Sequence, residues 1–452
     1  MTLLNELSAE VCQRARMSRD PRFDGRFFVA VKTTGIFCRP ICPANLPKEE
    51  NVEYFSSQAL AVSAGYRPCL RCRPESAPHS WAWKGAETTF LRALTLIEQG
   101  ELDGSLETLA SRLGISDRYL RQLFQRHLGM PPKQYAQIQQ LMFAKQLLHT
   151  SQISITEVAY ASGFQSTRRF NDAFQKLFRL TPTQVRRERA ALPSRNHLSL
   201  AFRGPFDWAH MLDFYRLRAI EGMELVDEQS YQRHFVLGEG TGWFKASMAQ
   251  SHLDIEFEME RLSDLRHLVA RLRRMFDLDA DLISIEAHLE QLAPGLVRRT
   301  GIRIPGVWNA WEAGVRAVLG QQVSVKAAIG QLNLLVSTLA ASEGSTRYFP
   351  TPEQVQMSDL SFLRMPERRK ENLKRLADYV RLHPMDSPMA WLSLSGIGPW
   401  TVDYAQLRGE SRSHCFLTGD LIVKKALAKF PQLTAESVAP WGSYATFHCW
   451  SH

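Results

Sequence analysis

Four cysteines constrain the N-terminal part of this chain more tightly than any other feature. Cys38 and Cys42 are separated by three residues in "GIFCRPICP", and Cys69 and Cys72 by two in "CLRC". Pro and Arg stand beside the cysteines in both stretches, so the pairs read as turns that present thiols. Zn²⁺ takes four soft ligands in a tetrahedron, and two close pairs on turns supply them. The spacing therefore predicts one four-cysteine zinc site made of Cys38, Cys42, Cys69 and Cys72. Seven cysteines occur in all, and an odd count argues against a disulfide framework. A purely structural ribbon and a reactive site both remain compatible with the spacing.

Composition sets the wider bounds. A chain of 452 residues exceeds one ordinary domain, so two to four are expected. The apolar fraction of 44% suits globular cores. No run is long and apolar enough to suggest a membrane span, and "MTLLNELSAEVCQRARMSRD" has no apolar signal core. These features predict a soluble cytoplasmic protein with no membrane partner. A net charge of +9 favours a polyanionic partner such as nucleic acid.

Along the chain, "FFVAVKTTGIFC" begins as a strand and ends in a Gly turn. Residues 74–85, "PESAPHSWAWKG", read as a linker. A duplicated helical plan follows. Leu106, Leu109, Ala110 and Leu113 are followed by a turn at Gly114, a cap at Ser116, and Leu120, Leu123, Phe124 and His127 on one helix face. Ile155, Val158, Ala159, Gly163, Ser166, Phe170, Phe174 and Leu177 repeat it. Helix, glycine turn and capped helix make a helix-turn-helix. Two copies, each with an Arg-bearing second helix, make two unrelated helical hairpins a poor explanation. Arg118, Arg121, Gln122, Gln165, Thr167, Arg168 and Arg169 are the candidates for phosphates and base edges. "ALPSRN" at 191–196 reads as a second linker. After it come short strands, "LSLAF", "RHFVL", "GWFKASMA" and "LDIEFEME", with an amphipathic helix at "WAHMLDFYRLRAI". The rest reads as helical. Within it "LSGIGPWTVDYAQLRG" places Gly396 and Gly398 at a turn that opens a helix, where free amides can bind phosphate. Asp420 precedes another apolar helix and suits an N-cap.

Two resemblances add to this reading. Residues 1–187 are similar to the N-terminal half of the Ada family of bacterial adaptive-response regulators, through "DGRFFVAVKTTGIFCRPIC", "AGYRPCLRCRPE" and the double helix-turn-helix of AraC type. Residues 197–452 resemble the AlkA family of 3-methyladenine DNA glycosylases in the helix-hairpin-helix superfamily, through "FDWAHMLDF", "RAVLGQQVS", "GIGPWTVDYAQLRG", "FLTGDLIVKK" and "WGSYA". The Pro-Cys-His-Arg motif of the O6-methylguanine repair domain does not occur. The resemblance implies a multidomain, mainly α chain in four parts. These are an α+β zinc domain (1–78), an all-α double helix-turn-helix (86–190), a small α+β antiparallel-sheet domain (197–290) and an all-α helix-hairpin-helix glycosylase domain (291–452).

It also implies roles. Cys38 matches the cysteine that takes a methyl from a DNA methyl phosphotriester, and Asp420 the catalytic carboxylate of base release. Trp400, Tyr404, Trp441 and Phe214 match the base pocket, and Gln322 the position of an apolar wedge. A helix-hairpin-helix enzyme that cuts the strand carries a lysine where Trp400 stands, so a monofunctional glycosylase is expected. Only Cys415 and Cys449 lie in that half, and no iron–sulfur cluster is expected. The implied partners are alkylated duplex DNA, promoter DNA and RNA polymerase, at the bacterial nucleoid. Gln322 in place of the wedge and Leu421 in place of an aromatic residue are departures. They keep open an alternative, a transcription regulator whose glycosylase part is weak or inactive.

Overall fold

The computed structural model describes residues 7–20, 23–69, 71–72, 74, 81–98, 100, 102, 105–187, 196–339, 342–344, 346–384 and 386–451. The chain forms two compact units, 1–139 and 140–452, with the helix Pro132–Thr150 running across the division.

In the first unit, a helix at Ala9–Met17 is capped by Ser8 and precedes a four-stranded sheet. Its strand order is Val52–Phe55, Phe28–Val31, Ile36–Cys38, Arg67–Pro68, and only the last pairing is parallel. The hairpin that ends in Cys38 turns at Gly35, with φ +64, a region L side chains disfavour. Successive side chains of a strand face opposite ways, and two thin cores result. Val29 packs with Cys12, Ala15, Phe27 and Val52, while Phe28 and Ala30 pack with Phe37 and Ala61.

The linker expected at 74–85 is only partly such a segment. A helix already begins at Trp81 and runs to Glu98, and residues 75–80 lie outside the described ones. Its sequence, rich in Ala, Leu and Glu, continues a helix through Gly85, which costs a helix only about 1 kcal/mol. Phe90, Ala93 and Ile97 of this helix pack on Leu106, Leu109, Leu120 and Phe124.

The second unit repeats the helical plan at Ile155–Ala161 and Thr167–Phe178. It then forms a five-stranded antiparallel sheet, in the order His197–Ala201, His252–Met259, Gly240–Met248, Ser230–Leu237, Glu224–Val226. The short last strand was not anticipated. Phe235, Phe244, Ile255 and Phe257 face the core with the helices Trp208–Arg216 and Leu265–Met275. The linker expected at 191–196 falls mainly outside the described residues.

Beyond the sheet the chain is helical, with a short hairpin at 342–347. A buried ion-pair network fixes the helix Ala310–Gly320 against the sheet. Arg233 meets Glu312 at 2.5 Å and Glu224 at 3.0 Å, and Arg316 meets the same two carboxylates at 2.9 and 3.0 Å. With four alternating charges paired, none is left uncompensated in low dielectric. That helix leads into the loop bearing Gln322, so the network orients one side of the candidate site. Among the described residues no helix is long and apolar enough to cross a membrane.

Candidate functional sites

The four predicted cysteines converge. Their Sγ atoms all lie within 4.8 Å of one another. A tetrahedron with Zn–S bonds of about 2.3 Å has edges of about 3.8 Å, so the donor set fits zinc. Local pairing explains the convergence. Cys38 ends a strand, and Cys69 donates its backbone N–H to Phe37 O at 3.0 Å, joining the two close pairs. The Arg39 amide donates to Cys72 Sγ at 3.3 Å, and Arg39 is held by Asp24 through its guanidinium.

Left to share a proton, Cys38 and Cys72 cannot both ionise. The hydrogen bond from Cys38 draws Cys72 down to about 6. The same bond, burial and the neighbouring sulfurs push Cys38 far up. A divalent cation removes this conflict. As whole residues, Cys42 is buried and Cys38, Cys69 and Cys72 are partly exposed.

The two helix-turn-helix copies differ at their caps. Ser116 accepts from Tyr119 N at 3.2 Å, but Ser166 holds the N-cap position without a side-chain bond. Gly114 and Gly163 take the turn with φ +69 and +85. Arg118, Arg121, Gln122, Gln165, Arg168 and Arg169 are exposed and Thr167 is half-buried, while Leu120, Phe124, Phe170 and Phe174 anchor the helices. Arg121 pairs with Asp117 at 2.8 Å. Two expected core positions lie outside the core. Leu177 is exposed, and His127 is exposed with its ring stacked on Phe90 at 4.4 Å.

A cavity of about 550 Å³ gathers Asp420, Trp400, Tyr404 and Phe214. Asp420 caps the helix Leu421–Leu427, its Oδ1 accepting from Ile422 N at 2.9 Å and Val423 N at 3.2 Å. The Trp450 indole N–H adds a third bond to the same oxygen at 3.1 Å. Among the described residues nothing bonds Oδ2, so one oxygen is fixed and the other is available. Trp400 and Tyr404, one turn apart on the helix Pro399–Glu410, stack at 5.3 Å. Burial alone would raise Tyr404, but the cations Arg408, Arg218 and Arg316 overcome it and lower its pKa. The Phe214 ring lies beneath Arg218, 3.7 Å from its centroid, so that face is already occupied by a cation. Burial lowers Arg218 to about 10, which leaves it charged at neutral pH.

Trp441 is a correction. It stands at the N-cap of the helix Gly442–Trp450, packs edge-on against His288 at 4.9 Å and lies half-buried against the apolar core, outside the cavity lining. Trp450, nine positions on, lines the cavity instead. The signal was the Phe447–Trp450 pair, three apart on one helix face.

Gln322 and Gly396, far apart in sequence, line a second groove of about 280 Å³ with Arg368 and Arg369. Gln322 is exposed in a left-handed conformation, with φ +56, between two helices. Its neighbour Gln321 donates to Thr401 Oγ1 at 3.2 Å, tying the loop to the hairpin helix. Gly396 has φ +86, and a Cβ there would lie 2.1 Å from Asn372 Nδ2, so only glycine fits this turn. Gly398 is the N-cap of the hairpin helix, whose N1 is Pro399.

Comparisons with known proteins match these parts. Residues 11–75 match the metal binding domain of Ada, 109–188 a helix-turn-helix domain family, and 197–309 the AlkA N-terminal domain. A protein of Mycobacterium tuberculosis described as "Probable bifunctional transcriptional activator/DNA repair enzyme AlkA" is 34% identical, over 98% of this chain and 96% of its own length. DNA-3-methyladenine glycosylase 2 of Escherichia coli is 33% identical over 56% of this chain and 96% of that one. The bifunctional transcriptional activator/DNA repair enzyme Ada of Escherichia coli is 35% identical over 38% of this chain and 47% of that one. The cofactor is one Zn²⁺, for which the converging cysteines within the Ada metal-binding match provide the site. A relative aligned end to end, with an Ada-type metal domain and an AlkA-type sheet joined by a helix-turn-helix, means that the chain belongs to the family of bifunctional transcriptional activator/DNA repair AlkA proteins.

Proposed function

We propose that this protein takes a methyl group from DNA methyl phosphotriesters onto Cys38, releases N-alkylated purines by hydrolysis at Asp420, and binds promoter DNA through its paired helix-turn-helix motifs. The observation that carries the reading is the cavity that brings Asp420 together with Trp400 and Tyr404. We assign these activities to the four parts 1–78, 86–190, 197–290 and 291–452.

Alkylation at N3 or N7 makes a purine cationic and a good leaving group. The protein must receive the base outside the stack and stabilise positive charge on the sugar as the bond breaks. Asp420 suits this, with Oδ1 held by three N–H donors and Oδ2 left for the sugar. The Trp400–Tyr404 stack supplies an aromatic wall for a cationic base. No lysine stands at position 400, so release proceeds through water and not a Schiff base. Gln322 enters the gap left by the base, and the Gly396–Gly398 turn with Arg368 and Arg369 contacts phosphate.

Zinc lowers the pKa of its thiol ligands and keeps them as thiolates at neutral pH. Cys38 Sγ attacks the methyl carbon, the S–C bond forms as the C–O bond breaks, and a phosphodiester leaves. Water does not attack the resulting thioether, so the transfer occurs once. Cys38, Cys42, Cys69 and Cys72 would hold Zn²⁺ as thiolates, and turning the Cys38 thiolate into a thioether would remove one negative charge and so reduce repulsion of the DNA backbone. Arg118, Arg121, Gln122, Gln165, Thr167, Arg168 and Arg169 then read promoter DNA, with RNA polymerase as the further partner.

One incubation with methylated duplex tests both activities. Mass spectrometry should place one methyl on Cys38, and free methylpurine should accumulate with turnover. Asp420→Asn should slow release roughly 10²–10³-fold, and Asp403→Asn, outside the cavity lining, should retain most activity. Methyl transfer without base release would favour the regulator with an inactive glycosylase, a reading supported by the exposed aliphatic Leu421 beside Asp420.

A further inference from the structure

The solvent face of the five-stranded sheet carries an aromatic, acidic cleft that none of these activities uses. Strand pairing sets His234 beside Trp243, and Trp243 beside Glu258. Side chains alternate along a strand, so these three face away from the core built by Phe235, Phe244 and Phe257. The Trp243 indole N–H donates to Glu258 Oε2 at 3.2 Å, which holds ring and carboxylate together. Tyr348, 8% exposed, forms one wall with Thr346 and meets the His234 ring edge-on at 6.4 Å. The enclosed volume is about 310 Å³, enough for one long side chain and too small for a folded element.

The charges of the cleft run against those of the chain. A protein of net charge +9 here lines a cleft with two carboxylates, Glu258 and Glu260, and no Lys or Arg. Glu260 is held by the Thr241 amide at 2.9 Å. Burial lowers the pKa of His234, so it brings no opposing charge at neutral pH. Further along the same strand and face, Glu256 stands opposite Lys245, and Asp254 meets His252 at 3.0 Å and His197 at 3.6 Å, so the uncompensated carboxylates are those of the cleft itself. DNA phosphates are repelled by such a surface. The cleft shares no lining residue with the Asp420 cavity or the Gln322 groove.

We propose that this cleft binds an arginine side chain presented by a basic segment of a partner protein. A guanidinium is flat, stacks on indole and phenol rings and meets a carboxylate through two N–H groups. A lysine ammonium is more strongly hydrated and lacks the planar fork. Glu260, beside Glu258, gives a second basic residue of the same segment its complement. The proposal does not rest on the repair activities, because its site is separate from theirs.

The test is calorimetric titration of the full-length protein with acetyl-Gly-Arg-Gly-amide and with a longer peptide carrying three arginines. Both should bind saturably and the longer one more tightly. Glu258→Gln and Trp243→Leu should each weaken binding by about tenfold or more. Citrulline in place of arginine should abolish it. Glu258→Gln is nearly isosteric, and an unchanged circular dichroism spectrum separates lost binding from lost folding. Absence of saturable binding, or equal binding by Glu258→Gln, would each overturn the proposal. Tighter binding of spermine than of the longer peptide would overturn it too, by making the site one for small polyamines.

Discussion

The two reactive sites differ in how much fold surrounds them. Around the zinc cysteines the apolar clusters are thin, Cys12 with Ala15, Phe27, Val29 and Val52, and Phe28 with Ala30, Phe37 and Ala61. Around Asp420 lies a continuous core that includes Leu282, Ile304, Leu407, Leu417 and Phe447. A small core leaves little stability in hand, so in the first site the proposed methyl acceptor, Cys38, belongs to a ligand set on which the fold depends. In the second, the carboxylate sits on a scaffold that stands without it. A residue spent once can be a structural ligand, because the protein is not required to return to its starting state. A carboxylate that turns over is better placed where its chemistry leaves the fold untouched.

This contrast predicts opposite outcomes for substitutions at the two sites. Cys69→Ala should have the largest effect, with loss of zinc by metal analysis and loss of protease resistance in the N-terminal region. Structural zinc contributes on the order of 10 kcal/mol to small domains. Full zinc occupancy in that variant would remove the basis of the comparison. Asp420→Asn should leave the melting temperature within a few degrees of wild type while removing base release, so its effect is purely chemical.

A finer version compares two tryptophans. Trp450→Phe removes one of three bonds to Asp420 Oδ1 and should lower kcat roughly tenfold, with little change in stability. Trp441→Phe, half-buried against the core and His288, should lower the melting temperature and leave kcat nearly unchanged. The reverse pattern would return Trp441 to the catalytic site.

The sequence disclosed these sites unevenly, for physical reasons. Cysteine spacing and the Gly-Ile-Gly turn were legible because close spacing is itself the geometry. Asp420 read as a cap and proved to be both a cap and a cavity residue, since one carboxylate oxygen suffices for capping. Trp441 and Trp450 could not be separated by residue type, because both stand at ends of one short helix and only its orientation decides which reaches Asp420. The occupation of the Phe214 face by Arg218 is a local contact between residues four apart, across the end of the helix Trp208–Arg216, and its spacing stands in the sequence. The cleft on the sheet was invisible, since it needs strand register and a distant Tyr348.

A further expected effect concerns pH and contrasts Asp420 with another carboxylate of the same unit. Asp277 is buried, and burial raises its pKa from an ordinary 3.8 to about 7, although the Ile304 amide, the Tyr444 hydroxyl and Arg303 all act to lower it. Tyr444 donates to Asp277 Oδ2 at 2.9 Å and so ties the last helix to the segment after Leu265–Met275. With the folded pKa above the unfolded one, the folded state binds the extra proton between about pH 4 and pH 7. Stability therefore falls as pH rises through that window. Below it both states are protonated, and above it the folded state must bury a charge. Asp277→Asn keeps an oxygen acceptor for Tyr444 and Ile304 but cannot ionise. Melting curves of the second unit's transition at pH 5 and pH 8 should differ more in the wild type than in Asp277→Asn, and the variant should gain most at pH 8. An equal pH dependence in both would mean that Asp277 is ionised at pH 5 as well, and that its three partners outweigh its burial.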